Sequence, residues 1–342
     1  MRFVFFILVS FITFHLHAEN VNLISPPAVR PVRVDCNFFL VDIVSILEKE
    51  ETFVADIYFS CQWDDPRLSY TSVAGAEPKI FLDEKAQDQL KEMWWPQIEF
   101  LNAGNIIYDE RSLFIHPDGR VEYYVALTGS FRTHLDLTRF PFDRQVLEIK
   151  IDSFLWNKNV VELVPATENT GFRNIGNHIH NDEKIADIKI KTELTKGLQL
   201  HGFGDSDEYS TYVASIVVER KPGFFIYQLF VPLFSIMGIS CTVFFAYKSD
   251  YMQIVAISIA SFLVFLAAKF TLNADLPRVG YMTVIDKAFL VSYITIGLQI
   301  LICTLREIYG TRGKEWANRL CFHGAWVVPL VYTSIIIWIF MS

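Results

Sequence analysis

Two kinds of hydrophobic periodicity divide this chain of 342 residues at about residue 220. Before that point apolar and polar residues alternate, which indicates half-buried β-strands. Residues 53–63 are the clearest case, because the odd positions are mostly large and apolar while Tyr58 falls on the other face. After it come four apolar runs, at about 223–246, 252–272, 283–305 and 320–341, each long enough to cross a bilayer. The pattern predicts an extracellular all-β immunoglobulin-like sandwich followed by an all-α four-helix transmembrane bundle.

The first two predicted strands form a hairpin that turns at 48–51. One face of the first strand is expected to contain the apolar side chains Val34, Cys36, Phe38, Leu40, Val44 and Ile46. Cys36 and Cys61 fall opposite each other on the buried face of the hairpin, and disulfides persist in secreted domains. We therefore predict a disulfide between them, with two free buried thiols as the alternative.

The sequence on either side of the predicted strands and apolar runs divides the chain into three segments. Residues 1–18 have an arginine, a short apolar run and a final alanine, which is typical of a secretory signal peptide; a retained first span is the alternative. Residues 19–220 would then be the extracellular domain and 221–342 the membrane domain. The loop 306–319 is rich in lysine and arginine, which favours the cytoplasm. The predicted topology is a multi-pass plasma-membrane protein with its N-terminal domain and its C-terminus outside.

The second apolar run differs from a helix that meets only lipid. It contains small and hydroxyl residues, and Lys269 lies close to its end. An ionisable group in a membrane span indicates a protected face. We interpret this run as a pore-lining helix, and an ordinary bundle helix with close packing is the alternative.

The charge distribution limits the function classes. Residues 19–220 have 33 Asp and Glu against 20 Lys and Arg, a net charge of −13. This argues against a nucleic-acid partner and favours cations near the surface, although solubility explains it equally well. His178 and His180 are too few for a metal site. Without a plausible nucleophile or acid–base pair, we expect neither an enzyme nor a cofactor.

Several motifs together give a family resemblance. The segment Leu135-x-Leu137-x-x-Phe140-Pro141-Phe142-Asp143 resembles the signature loop of the pentameric ligand-gated ion channels, the Cys-loop superfamily. Supporting motifs are Gln62-Trp63-x-Asp65-x-Arg67-Leu68, Trp94-x-Pro96 with Asn102, Glu219-Arg220 and Leu276-Pro277. The resemblance extends from about residue 30 to the end. Thr133 and Leu147 stand where animal members have the loop cysteines, so this member lacks the loop disulfide.

The resemblance implies a set of residues that couple the outer domain to the membrane domain. Asp143 and Arg220 would form a charge-assisted pair beside the first span. The expected coupling residues are Glu48, Glu50, Phe140, Pro141, Asp143, Arg220 and Pro277. Surface charges of little energetic value are the alternative.

The resemblance also implies an aromatic ligand site between subunits. The matching or neighbouring positions are Tyr58, Phe100, Tyr124, Phe154, Trp156 and Tyr209. Adjacent cysteines at the tip of the last loop are missing, and Leu101 stands where an aromatic residue is usual. Because aromatic faces attract cations, an organic amine is the expected small-molecule agonist. A proton-gated or orphan channel, or aromatic residues that only pack the interface, are alternatives.

The pore face implied by alignment on Leu276-Pro277 has helical spacing. It comprises Gln253, Ala256, Ala260, Leu263, Ala267 and Thr271, with Phe270 as the alternative to Thr271. A different helical phase would instead direct Ser258 and Ser261 into the lumen. The cytoplasmic mouth matches neither selectivity pattern of the family, and Asp250 slightly favours cations.

The expected assembly is a homo- or heteropentamer of like subunits in membrane lipid, which conducts inorganic ions. Two alternatives stay open: a membrane receptor or adhesion protein that does not conduct, and an accessory subunit that needs a partner to open.

Overall fold

The computed structural model describes residues 23–71, 77–166, 171–172, 183–196, 208–223, 226–245, 251–273, 279–310, 312–313 and 315–341. The predicted signal peptide, the histidines His178 and His180, and Pro277 lie outside these ranges. The statements below concern the described residues.

The outer domain is a sandwich of two β-sheets, as predicted. The larger sheet has the order β3-β5-β6-β2-β1-β8, with β9 paired to β1, and the smaller sheet has the order β10-β11-β7-β4. The strands are β1 Val32–Leu47, β2 Thr52–Asp64, β3 Lys79–Leu82, β4 Ile98–Phe100, β5 Ala103–Ile115, β6 Arg120–Arg132, β7 Arg144–Ser153, β8 Val161–Pro165, β9 Gly171–Phe172, β10 Glu183–Lys196 and β11 Glu208–Arg220. A helix, α1 Glu84–Glu92, follows β3.

The side chains that the alternation of apolar and polar residues predicts to be buried match the core of the sandwich. All six odd positions of 53–63 are buried, while Tyr58 is 55% exposed. In β1 the prediction is wrong at Val44, which is 44% exposed while Ile43 is 1% exposed, and Ile46 again packs against the core. The pairing with β2 shifts twice there, and an extra residue in one strand moves later side chains to the opposite face.

The predicted disulfide between Cys36 and Cys61 is wrong, although the two residues pair across the hairpin as expected. Both are buried free thiols. Opposed residues in a regular antiparallel pair have Cβ atoms about 4.5–5.5 Å apart, whereas a disulfide needs about 3.5–4.5 Å. The Cys36 thiol instead lies 3.6 Å from the Val34 carbonyl oxygen. Burial raises the pKa of both thiols well above the ordinary value, so they are protonated.

The second half of the chain is helical. It begins with a π-helical turn at Ile226–Phe230, α2 Val231–Cys241 and a 3₁₀ turn at Thr242–Phe245. Three longer helices follow: α3 Tyr251–Asn273, α4 Val284–Leu305 and α5 Glu315–Met341. These three are long and apolar enough to cross a membrane, while Val231–Phe245 is a shorter apolar helix.

The connection between the last two helices is shorter than the predicted loop 306–319. A π-helical turn, Arg306–Gly310, continues α4, and α5 already starts at Glu315. Arg319 bonds Glu315 one turn earlier at 3.0 Å, a pair that supports a helical first turn. The remaining cysteines Cys241, Cys303 and Cys321 are free.

The bulges of β1 make a testable prediction about stability. Ile43→Ala should destabilise the protein by about 2–5 kcal/mol, because it empties a buried site. Val44→Ala should cost within about 0.5 kcal/mol, since Val44 is on the surface. Thermal unfolding of the purified full-length protein compares the two. Equal losses would contradict the observed register.

Candidate functional site

Arg220, at the end of β11, is a buried cation held by two carboxylates. Its Nε lies 3.0 Å from Asp143 Oδ1, and its second guanidinium nitrogen lies 2.8 Å from Glu48 Oε1. The guanidinium also stands 4.9 Å from the centre of the Phe140 ring. The side chains of Arg220 and Asp143 are almost wholly buried, and that of Glu48 is mostly buried. Three segments that are distant in sequence therefore meet at one charge.

The Asp143 carboxylate has further partners that fix its position. Gln145 Nε2 donates to Asp143 Oδ2 at 2.5 Å and to the Asp136 carbonyl at 2.8 Å. The Arg220 N–H donates to the Asp143 carbonyl at 3.3 Å. A buried charge is tolerated when its hydrogen bonds are satisfied in this way.

The loop that contains Asp143 also contacts the helical half. The Leu137 N–H donates to the Tyr281 hydroxyl oxygen at 2.9 Å, and Tyr281 precedes α4. The Phe142 ring packs edge-on against Phe340 near the end of α5, with centroids 5.6 Å apart. Phe230 packs on the same Phe340 ring at 4.5 Å. The predicted coupling loop therefore lies on the helices.

Two predicted coupling residues stand apart from this cluster. Glu50 lies in the same 3₁₀ turn as Glu48 but is exposed. Pro277 is outside the described residues. The linker 276–283, which contains Tyr281, was expected to lie against these loops, but Tyr281 itself was not singled out. Sequence reasoning missed Gln145, for which a polar residue inside a strand was a weak signal.

The predicted ligand residues Tyr58 and Tyr124 occupy one exposed face of the larger sheet. Tyr58 pairs with Ala126 on β6, and Tyr124 pairs with Ser60 on β2, so the two rings point to the same side. Tyr108 of β5 belongs to the same face. A hydrogen bond to Glu110 raises the pKa of the Tyr108 hydroxyl to about 12. This tyrosine face contains aromatic rings and hydrogen-bonding groups together.

Phe154 and Tyr209 occupy the smaller sheet. Phe154 follows β7 and is 59% exposed, while Tyr209 is half-buried near the start of β11. The loop after Phe154 is tied to β11, since the Lys158 N–H donates to the Glu208 carbonyl at 2.8 Å and the two side chains form an ion pair. The two aromatic residues are therefore held at one end of this sheet.

Phe100 and Trp156 lie on the core side. Phe100 packs edge-on against Phe59 with centroids 5.9 Å apart, and it also packs against Phe131. Trp156 Nε1 donates to the Trp95 carbonyl at 3.2 Å, and its ring lies 6.3 Å from Trp94. Both rings contribute to packing within the subunit.

Two carboxylates beside Phe154 were not predicted as site residues. Asp152 of β7 lies opposite Glu99 of β4 in the smaller sheet. Phe154 follows Asp152 by two residues. Asp152 is buried, and its Oδ1 has no hydrogen-bond partner among the described residues. Burial and the charge of Glu99 raise the pKa of Asp152 to about 7. A carboxylate in this state would be stabilised by a cation at its free oxygen.

Comparison with known proteins agrees with this geometry. The ligand-binding domain of neurotransmitter-gated ion channels matches residues 14–222, more than half of the chain. The chain belongs to this family of ligand-gated channels. It lacks the cysteine pair of the signature loop, and at the first of those two positions the Thr133 hydroxyl donates to the Val146 carbonyl at 3.4 Å. Leu147, at the second position, is fully buried in the core.

The candidate pore helix α3 has two opposite faces. Its buried row is Ile254, Ser258, Ser261 and Phe265, which faces the other helices. All six predicted pore residues, Gln253, Ala256, Ala260, Leu263, Ala267 and Thr271, are exposed. At about 100° per residue, the row from Ala256 to Ala267 lies on the far side of the helix from the buried row. Ser258 and Ser261 each donate to the carbonyl four residues earlier, at 3.0 Å, within the buried side.

The Arg220 cluster generates a prediction about energetic coupling. Arg220→Ala or Asp143→Ala alone should cost on the order of 3–5 kcal/mol, because each leaves a buried charge without its partner. The double variant should cost less than the sum of the two. Thermal unfolding of the purified protein measures the three costs.

Glu48→Gln and Glu50→Gln provide the matched control for that cycle. The first removes a charged acceptor from Arg220 and should destabilise, while the second changes an exposed residue and should not. Strict additivity of Arg220→Ala and Asp143→Ala would contradict the assigned pair.

Proposed function

We propose that the chain is a subunit of a pentameric ligand-gated ion channel whose pore is lined by α3. The observation that supports this best is the exposed row of α3, where three alanines and Leu263 lie opposite the buried row. A lipid-facing surface would favour large apolar side chains, whereas close packing around an axis favours small ones. Five copies related by a cyclic axis would turn this row to a common lumen.

The proposed ligand site lies between neighbouring subunits. The tyrosine face of one subunit would meet the Phe154 and Tyr209 region of the next, because in a head-to-tail ring two different surfaces of the chain form each interface. In a single subunit, the tyrosine face and the region around Phe154 are both open to solvent. The proposed agonist is an organic amine, since the ammonium group would meet aromatic faces near the negative charges of Glu99 and Asp152.

The closed gate is proposed to be a ring of Leu263. Leu263 is 56% exposed on α3 and its neighbours in the row, Ala260 and Ala267, are too small to close a lumen. An apolar ring stops ions because they find no substitute there for their hydration shell. Weak cation preference is proposed from the acidic outer domain.

The proposed placement is the plasma membrane, with residues 19–220 and the C-terminus outside, four membrane crossings, and like subunits and lipid as partners. Non-enzymatic function fits the family. Two other functions remain as candidates: a receptor or adhesion protein that does not conduct, and an accessory subunit. Currents from the protein alone separate both from the proposed channel.

The ligand site generates the third prediction. Tyr58→Ala, Phe154→Ala and Tyr209→Ala should each weaken binding of a quaternary or primary ammonium by about 0.5–2 kcal/mol, because each removes an aromatic face. Calorimetry with a panel of alkylamines and quaternary ammonium ions measures the loss. Phe154→Tyr is the matched control and should retain binding. Unchanged binding in all three alanine variants would show that the ligand site lies elsewhere.

The Asp152 carboxylate gives the same measurement a pH dependence. Its pKa of about 7 means that it is mostly protonated at pH 6 and ionised at pH 8. Affinity for a quaternary ammonium, whose own charge does not titrate, should therefore rise with pH, by up to about tenfold per unit below pH 7. Asp152→Asn should remove this slope.

Leu263→Ser tests the channel itself. The serine hydroxyls would allow water into the ring and favour the open state, so spontaneous current should appear without added ligand. Voltage clamp of cells that express only this chain measures it. Ile254→Ser, on the buried row, is the matched control and should reduce assembly instead. If Leu263→Ser lowers assembly and produces no current, Leu263 packs against a neighbouring helix and is not the gate.

A further inference from the structure

Lys269 is the one charged residue of α3, and the pore proposed above makes no use of it. It follows Phe265 by four residues, so it extends the buried row of the helix by one turn. Ala267 and Phe270, on either side in sequence, belong to the exposed side. The ammonium is therefore on the side of α3 that faces α4 and away from the proposed lumen.

The partner of Lys269 is Asp286 in the first turn of α4. Lys269 Nζ lies 3.0 Å from Asp286 Oδ1, and both side chains are about one-third exposed or less. The other oxygen, Oδ2, accepts hydrogen bonds from the Thr283 N–H at 3.1 Å and from the Thr283 hydroxyl at 2.9 Å. In return, the Asp286 N–H donates to the Thr283 hydroxyl at 3.1 Å.

This arrangement holds the Asp286 carboxylate still. Reciprocal bonds between Thr283 and Asp286 form a capping box, which satisfies free N–H groups at the start of α4. The carboxylate also lies at the positive end of the α4 dipole, where a negative charge is stabilised. Because its position is set by the helix start, Asp286 can fix the position of the longer and more flexible lysine.

We infer that Asp286 is the counter-ion that holds the Lys269 ammonium on the α4 side of α3 and so keeps positive charge out of the outer pore. The inference rests on the proposed channel function. A lysine without this partner would extend its stem to bring the charge to water. In the proposed pentamer the lumen is water within reach of α3, and five ammonium groups turned towards it would oppose cations and attract anions, as rings of charge do in channel pores.

The test uses the full-length channel opened by Leu263→Ser, so that no agonist is needed. Reversal potentials in a sodium chloride gradient measure the relative permeability of sodium and chloride. Adding Asp286→Asn should lower the sodium-to-chloride ratio by about threefold or more, because it frees five positive charges. Adding Lys269→Met as well should restore the ratio. The direction of this change is the same whether the parent channel prefers cations or anions.

Two outcomes would overturn the inference. One is an Asp286→Asn channel that assembles, conducts and keeps the parent ratio. The other is an equal reduction in Asp286→Asn and in Lys269→Met/Asp286→Asn, which would assign the effect to the lost helix cap. Thr283→Ala is the matched control, since it breaks the capping box but keeps both charges, so it should change the ratio less than Asp286→Asn does.

A second readout separates this inference from the channel function. Melting temperatures of the purified pentamer need no current, and Asp286→Asn should lower the melting temperature more than Lys269→Met/Asp286→Asn does, because only the single variant leaves an unpaired charge. Additive shifts in melting temperature would overturn the inferred ion pair even if the Leu263→Ser channel conducts. Absence of current in Leu263→Ser, together with non-additive melting temperatures, would overturn the proposed channel function and still support the ion pair. Should Asp286→Asn fail to assemble, assembly of the double variant would still support the pair.

Discussion

The buried guanidinium of Arg220 constrains how the two halves of the molecule meet. A charge removed from water is tolerable only when oppositely charged, well-placed groups replace the water. Here the replacements come from the turn after β1, through Glu48, and from the loop before β7, through Asp143. Arg220 itself ends β11, from which the chain continues to the first apolar helix. Any movement of one segment therefore changes the electrostatic environment of the other two.

Much of the β-sandwich could be predicted from the sequence because each strand buries only one face, so that period-2 alternation records the core directly. The prediction failed in β1, where the register shifts near Asp42. The Asp42 side chain accepts a hydrogen bond from the Ile43 N–H at 2.9 Å. Such a local bond competes with the ladder and accompanies the irregular pairing. An aspartate inside an apolar strand was the available signal, but a bulge depends on both strands and cannot be located from one.

The candidate ligand site was less predictable because burial there depends on neighbouring strands. Asp152 continues the polar row of Glu148 and Lys150, a pattern that predicts an exposed side chain. Its position beside β4, opposite Glu99, removes it from water instead. Phe100 and Leu101 are hard to distinguish from the sequence for a related reason: β4 has only three residues, too few for a period to identify the inner face. The structure directs Phe100 to the core and leaves Leu101 exposed.

In the membrane half, a polar residue within a span indicates that one face of the helix is shielded from lipid, but it does not identify what shields that face. Ser258, Ser261 and Lys269 all suggested a helix with one protected face, and all three lie on the side that meets the bundle. The serines bond their own backbone, and the lysine bonds the first turn of α4. Ala256, Ala260 and Ala267 occupy the other face. The two serines and the lysine thus find partners inside the subunit, and these three alanines are left on the exposed side. A pore lined by such residues would have little fixed charge of its own, so permeation would depend on how completely each subunit neutralises the lysine behind it.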